Sequence, residues 1–353
     1  METLKKLQEA LPSDMDALLL SNPLHQFYIT GFTFTDGFAV VTRREAALFV
    51  DFRYAEAARS AEGVRAFRLH EDTSFSYLAE QLRQMGVSRL GFEDHFVTVA
   101  GLEDLKKRLP EVSLIPAGPI PETLRILKTD YERECIRRAQ AITDKAFSHI
   151  LGYLRPGVLE TEAALELENY MRRAGADGIA FPTICISGRA TSMPHGEPRP
   201  AALEEGFVTM DFGCTYHGYA SDMTRTVVLG HADEEMRRVY DTVLAAQRLV
   251  LERIGWHGDC AELDGIARRY IDEAGYRGCF GHSLGHGVGL QIHEAPTLSS
   301  RAGGRLLENG HVVTVEPGIY IAGKFGVRIE DMVMIHGGKA ENITGSAKEL
   351  IEL

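Results

Sequence analysis

Apolar and polar positions alternate through Val208-Thr209-Met210-Asp211-Phe212, and a β-branched run follows from Thr224 to Val228. Alternation over a few residues marks a half-buried strand, and Thr215-Tyr216-His217-Gly218-Tyr219 between the two runs is turn-like. The pattern predicts a hairpin whose turn is centred between Tyr216 and His217. That centre sets Asp211 opposite Asp222 on one face, with Cβ atoms about 5 Å apart. Asn309 to Ile335 repeats the design, with Glu316 and Glu330 disposed about Gly323. Glu204-Glu205-Gly206 matches Glu308-Asn309-Gly310, Asp211-Phe212-Gly213 matches Glu316-Pro317-Gly318, and Ser221-Asp222 matches Ile329-Glu330. Each hairpin follows a helix-like run ending in Ala-Gly, at Ala174-Gly175 and Ala274-Gly275. Such repetition predicts two related helix-plus-hairpin halves that face each other.

The remaining pattern divides the chain in two. Asp16 to Ser21, Phe38 to Thr42, Ala46 to Asp51 and Arg89 to Glu93 read as strands, with a turn at Arg43-Arg44-Glu45. Ser74 to Met85 reads as a helix, with Phe75, Leu78, Leu82 and Met85 at three- and four-residue spacing. Three prolines within Pro116-Ala-Gly-Pro-Ile-Pro121 predict an irregular linker. Beyond it, helices are predicted over 129–154, 161–174, 233–254 and 262–274. Helices alternating with antiparallel hairpins make an α+β domain at 123–353, preceded by a smaller α/β domain at 1–122.

A length of 353 residues accommodates both cores. The net charge of −12 and a pI near 5.6 exclude nucleic acid and anionic membrane as expected partners. No apolar run approaches the roughly 20 residues that span a bilayer, and no apolar signal core follows Met1-Glu-Thr-Leu-Lys-Lys. The five cysteines are scattered without a CxxC pair, which predicts reduced thiols in a cytoplasmic protein.

Charge changes the picture most at the hairpins. Two carboxylates held close repel each other unless a proton or a cation lies between them. Single acids in hairpins are ordinarily solvated, but four in matched places predict a metal site. Between the hairpins runs Gly281-His-Ser-Leu-Gly-His-Gly-Val-Gly-Leu-Gln-Ile-His-Glu294. Its glycines disfavour a helix and let the backbone approach a ligand closely. His286, the most glycine-flanked, is the candidate ligand, and His293 and His282 are candidates for the same pocket. His195, in Met193-Pro-His-Gly196, is a further candidate on a loop. His25, His70 and His95 stand alone, as packing or surface residues do.

The ordered stretches MDFG, SDMTRT, GHGVGLQIHE, VEPGIY and GVRIED resemble the dinuclear metallopeptidases of the pita-bread fold. That family includes methionine aminopeptidase, Xaa-Pro aminopeptidase and Xaa-Pro dipeptidase (prolidase). The resemblance spans about residues 126–353, and the preceding domain resembles the creatinase-like domain of the proline-directed members. It implies Asp211, Asp222, His286, Glu316 and Glu330 as ligands of two divalent metals. It also implies Glu316 as proton shuttle, His195, His282 and His293 as substrate-contacting or supporting residues, and Arg328 and Tyr320 as supports. An oxygen-rich donor set suits Mn²⁺, with Co²⁺, Zn²⁺ or Fe²⁺ as alternatives. The implied activity is hydrolysis of the Xaa-Pro bond at the amino terminus of peptides with proline second, by a homodimer. A dipeptidase shares the whole site, whereas a metal-free scaffold or creatinase-like hydrolase would lack ligands that this chain keeps. Strict dipeptidases recognise the free carboxylate after proline, and an arginine is the usual tool. Prolidases similar to this chain carry one after His-Glu-x-Pro. Here Thr297 follows His293-Glu294-Ala295-Pro296, with Arg301 four residues further on.

Overall fold

The four apolar residues of β1 (Ala17–Leu20) are buried on both faces, at the interior of a six-stranded sheet. The structure is a computed structural model and describes residues 2–353. The chain separates into two compact units, Met1–Arg125 and Ile126–Leu353. In the first, β2 (Gly37–Thr42), β3 (Ala46–Val50), β4 (Arg68–His70), β5 (Arg89–Phe92) and β6 (Ser113–Pro116) complete the order β4-β3-β2-β1-β5-β6. The predicted β2–β3 hairpin forms around Arg43-Arg44-Glu45. Helix Phe75–Gln84, capped by Ser74, buries Leu78 and Leu82 against Leu19, Val40 and Phe49. Completely burying one such side chain contributes about 1.5–3 kcal/mol. His25 is buried against Glu93, and His70 stacks on Phe49.

The proline-rich segment differs from expectation. Pro116 ends β6, and Pro121 is the second residue of helix Ile120–Ile126. Proline lacks an N–H but suits the first turn of a helix, where that donor is unused, so neither position breaks an element.

In the second unit, helix Asp130–Ile150 opens on a reciprocal cap between Thr129 and Glu132 and stops four residues earlier than predicted. With helix Glu160–Arg173 it packs on β8 (Ile184–Ser187), β9 (Gly206–Phe212) and β12 (Met223–Leu229), which form one antiparallel sheet. The hairpin's outer part, β10 (Cys214–Tyr216) and β11 (Tyr219–Ala220), pairs instead with β7 (Gly178–Ile179). Helices Glu234–Leu251 and Cys260–Ile271 cover the second half in the same way. There β13 (Gly285–Gly287), β14 (Glu294–Leu298), β15 (Val312–Val315), β18 (Asp331–His336) and β19 (Lys339–Asn342) form one sheet. Strands β16 (Gly318–Ile321) and β17 (Phe325–Arg328) carry the second hairpin onward as a separate ribbon.

Each hairpin is thus interrupted at its acids. In the second, Val315 pairs with Asp331 and Gly318 with Arg328, so Glu316 and Glu330 face each other across the break as predicted. In the first, Asp211 pairs with Thr224 rather than facing Asp222. The turn falls one residue later than expected, because His217 and Gly218 take φ of 48° and 79°. Two positive-φ residues are the signature of a tight primed turn, which fixes this register. Thr224 pairs directly with Asp211, and Asp222, in the break just before β12, lies two residues from Thr224 and so falls to the same side.

The glycines of the histidine-rich segment also have a different use. A Cβ on Gly285 would lie 2.0 Å from the Thr314 carbonyl oxygen, and one on Gly287 would lie 2.4 Å from that of Ala295. They admit neighbouring strands rather than a ligand.

Candidate metal centre

The two halves meet where β12 runs beside the β17–β18 junction. Glu330 N–H donates to the Thr224 carbonyl (3.1 Å), and Thr226 Oγ1 donates to the Arg328 carbonyl (3.0 Å). Arg225, almost completely buried, ties the crossing further: it donates to the Glu330 carbonyl and to Asp331 Oδ1 (2.7 Å). This junction brings Asp211 and Asp222 from one hairpin to Glu316 and Glu330 from the other. His286 joins them from the middle of β13.

The cluster opens on a cavity of about 1150 Å³. Its wall takes in the four acids, His286, the three other candidate histidines and Arg328. Phe181, Pro182, Ile184 and Ile292 form an apolar part of that wall. Tyr320 stands behind it, with its hydroxyl 2.9 Å from His282 Nε2 and 2.8 Å from Arg328 Nη1. Arg328 in turn donates to Asp211 Oδ2 (2.6 Å), Thr224 Oγ1 (2.9 Å) and the Pro194 carbonyl (3.1 Å), next to His195. Thr224 donates onward to Glu330 Oε2 (2.7 Å), and Thr314 donates to Glu316 Oε1 (3.1 Å). Thr224 and Thr314 were missed in the sequence, since a threonine in a strand carries no signal beyond β-propensity. Their clue was position, each lying two residues from an acid and therefore on its face. Thr297 is on the cavity wall, whereas Arg301 is exposed and outside it.

Electrostatics show what the arrangement requires. Burial, then the charges of Glu330 and Asp211, push Asp222 well above the usual carboxylate range. Burial, then Glu316 and Asp211, do the same to Glu330. Burial pushes Glu316 up to about 8. His286 is lowered to about 4, chiefly by burial and then by His293, so its ring is neutral. His286 Nδ1 lies 3.1 Å from the Gly287 carbonyl, which assigns the proton to that nitrogen. The Nε2 lone pair therefore faces Asp222 Oδ2 at 3.5 Å and Glu316 Oε1 at 3.4 Å. These short approaches are not ion pairs, because the depressed ring is uncharged. Three acceptor groups converge here, and they repel unless a proton or a cation lies among them.

The same need shows at single atoms. Among the described residues, buried Asp211 Oδ1 and Glu330 Oε1 have no hydrogen-bond partner. Ligand atoms of Asp222, His286 and Glu330 lie within 4.8 Å of one another. Oxygen and imidazole donors, buried and mutually unsatisfied, fit divalent metal ions.

Residues 134–337 match Metallopeptidase family M24. The chain belongs to that family. Residues 3–127 match the Creatinase/Prolidase N-terminal domain, which gives this M24 enzyme its two-domain plan, with the pita-bread fold in the carboxy-terminal unit. The M24 chain is 40% identical over 342 residues to the peptidase YqhT of Bacillus subtilis (strain 168), covering 96% of each. Among solved structures it is similar to an Xaa-Pro dipeptidase from Bacillus anthracis, with a TM-score of 0.95, 39% identity and coverage of 100% and 99% of the two chains. It is also similar to an X-Pro aminopeptidase from Thermotoga maritima MSB8, with a TM-score of 0.91, 32% identity and coverage of 96% and 98%. Among the described residues, no helix of this metallopeptidase is long and apolar enough to cross a membrane.

Proposed function

We propose that this metallopeptidase is an Xaa-Pro aminopeptidase, releasing the first residue of peptides longer than two residues with proline second. Asp211, Asp222, His286, Glu316 and Glu330 would hold two divalent metal ions, with Mn²⁺ the best match to so oxygen-rich a set. The convergence of lone pairs on His286 Nε2, with Asp211 Oδ1 and Glu330 Oε1 unsatisfied, carries this reading. When bound, such a pair supplies Lewis-acid stabilisation and lowers the pKa of water. Glu316 takes the proton of the attacking water and returns it to the proline nitrogen. His293, its ring 4.2 Å from that of His286, and His195 donate to the scissile peptide group as it becomes tetrahedral. His282 and Tyr320 brace Arg328, which orients Asp211. Proline offers no N–H at the scissile bond, so it must be recognised by ring shape, for which Phe181, Pro182 and Ile292 form an apolar wall.

The choice of aminopeptidase rests on Thr297. It stands on the wall at the place where a dipeptidase is expected to hold an arginine, and Arg301 is exposed and outside that wall. The dipeptidase reading draws its support from the similar Bacillus anthracis enzyme, which bears that name. Comparing kcat/KM for an Xaa-Pro dipeptide and an Xaa-Pro-Yaa tripeptide tests the choice, with the tripeptide expected to be the better substrate. A large preference for the dipeptide that vanished in Arg301→Ala would reverse it. The proposal also includes a cytoplasmic location, supported by five free cysteines, and a homodimer, which light scattering would test.

A further inference from the structure

Lys128 is the residue two before helix Asp130–Ile150, and its side chain is 1% exposed. A buried ammonium needs a counter-charge and hydrogen-bond acceptors. Its Nζ donates to the Ile126 carbonyl (3.1 Å) and to Glu294 Oε1 (2.5 Å), and the Glu294 side chain is itself only 7% exposed. The backbone around the pair is equally committed. Lys128 N–H donates to the Gly310 carbonyl (2.8 Å), and Arg133 Nη1 donates to the Lys128 carbonyl (2.5 Å). On the other side, a Cβ on residue 289 would lie 2.3 Å from Glu294 Oε1, so only glycine leaves room for the carboxylate there. The pair joins the start of one half of the domain to the strand that ends the histidine-rich segment in the other.

Glu294 directly follows His293. His293 lies in the bend that leads into β14, so pinning the Glu294 side chain anchors the backbone from which His293 projects. Glu294 starts β14, where it pairs with Gly287, next to His286. His293 in turn packs edge-on to the His286 ring. The Lys128 charge also neutralises a carboxylate on the cavity wall that would otherwise add to four acids already repelling one another.

We infer that Lys128 is a positioning residue: through its buried ion pair with Glu294 it fixes His293 against the peptide group being cleaved. The inference rests on the peptidase reading above and on the role given there to His293. A lysine ahead of the first helix, 166 positions from its partner, thereby serves the reaction without touching substrate.

A double-mutant cycle between Lys128→Met and His293→Ala tests this. Lys128→Met is expected to lower kcat about 10- to 100-fold, the range usual for lost outer partners of a site. KM and metal stoichiometry should stay within about twofold of the unsubstituted enzyme, given that His293 acts on the transition state. In the His293→Ala background the same substitution should change kcat by less than about threefold, since the group it positions is gone. Equal losses in both backgrounds, or an unchanged kcat in Lys128→Met, would overturn the inference. Should Lys128→Met not fold, Lys128→Met/Glu294→Gln removes the stranded charge, and the same cycle is read on it. The melting temperature of metal-free protein, recorded alongside, separates loss of fold from loss of positioning. If the unsubstituted enzyme cleaves no Xaa-Pro peptide, the underlying reading has failed; if it cleaves but shows no coupling, only this inference has.

Discussion

Thr224 is the most informative single atom to remove. It is completely buried, donates to Glu330 Oε2 and accepts from Arg328 Nε, so one hydroxyl braces an acid and the guanidinium that holds another acid. Thr224→Val keeps the volume and β-branching and deletes both bonds. A hydrogen bond to a charged group contributes about 1.5–3 kcal/mol, and a buried donor left unmade costs a comparable amount. The two losses share one network and do not simply add. A loss of about 3 kcal/mol in the metal-free domain is therefore expected. At about 2–4 °C per kcal/mol for a domain of this size, the melting temperature should fall by roughly 6–12 °C. The bond from Thr224 also favours ionised Glu330, so its loss leaves that carboxyl harder to deprotonate. Metal binding should weaken roughly 10- to 100-fold, at about 1.4 kcal/mol per decade. Calorimetry of the metal-free protein and competition against a chelator measure the two effects. Thr224→Ser, which restores the hydroxyl, should recover most of both. Unchanged melting and unchanged metal affinity in Thr224→Val would refute the bracing argument.

Three further outcomes are expected. In metal-free protein, Glu316 is raised from 4.5 to about 8, so the folded state binds its proton more tightly and stability falls as pH rises between those values. His286 and His282, depressed from 6.5 to about 4, act oppositely: their contribution is lost as pH falls through that window. Above pH 6.5 only the carboxyls act, and the raised Asp222 and Glu330 add to Glu316 in the same direction, so the metal-free protein should lose at least about 2 kcal/mol between pH 6.5 and 8 in chemical denaturation, while metal-loaded protein, its acids already ionised, should not. His286→Ala should empty the site by elemental analysis, whereas His293→Ala should keep its metal and lose about 10²–10³ in kcat; an empty site in His293→Ala would exchange their roles. Chelation should abolish peptide hydrolysis and Mn²⁺ or Co²⁺ restore it, with full activity in metal-free protein the contrary result.

The second hairpin was legible because its loop is symmetric: Ala322-Gly323-Lys324 turns without a bulge, and counting outward from Gly323 finds the facing acids. In the first, the turn falls one residue later and the pairing shifts by two, because His217 accepts a positive φ, a choice hydrophobic periodicity does not register. Its acids still meet, since the break beyond Phe212 and the crossing at Thr224 bring them together without strict opposition. A glycine-rich run is equally consistent with room for a ligand and room for a strand, and composition does not distinguish the two; Gly285 and Gly287 make room for strands. Arg125 and Glu122 lie within a helix that the prolines had concealed, because position within the first turn decides whether proline breaks a helix. Lys128 was invisible for another reason: its partner lies in the other half of the domain, and no local pattern marks a long-range ion pair.

The division of the acids between two hairpins has a consequence for how the enzyme is put together. Asp211 and Asp222 belong to the first half, and His286, Glu316 and Glu330 to the second. Neither half alone holds the full donor set, and the surplus of buried negative charge arises only when the two dock. On the proposed ligand set, metal uptake would be a chemical signal of correct assembly. A chain cut in the loop at Gly230-His231-Ala232, ahead of the helix Glu234–Leu251, would supply two fragments whose reunion could be followed by metal retention alone. The ion would act as the selectable bond between them, rewarding the one docking that closes its coordination shell.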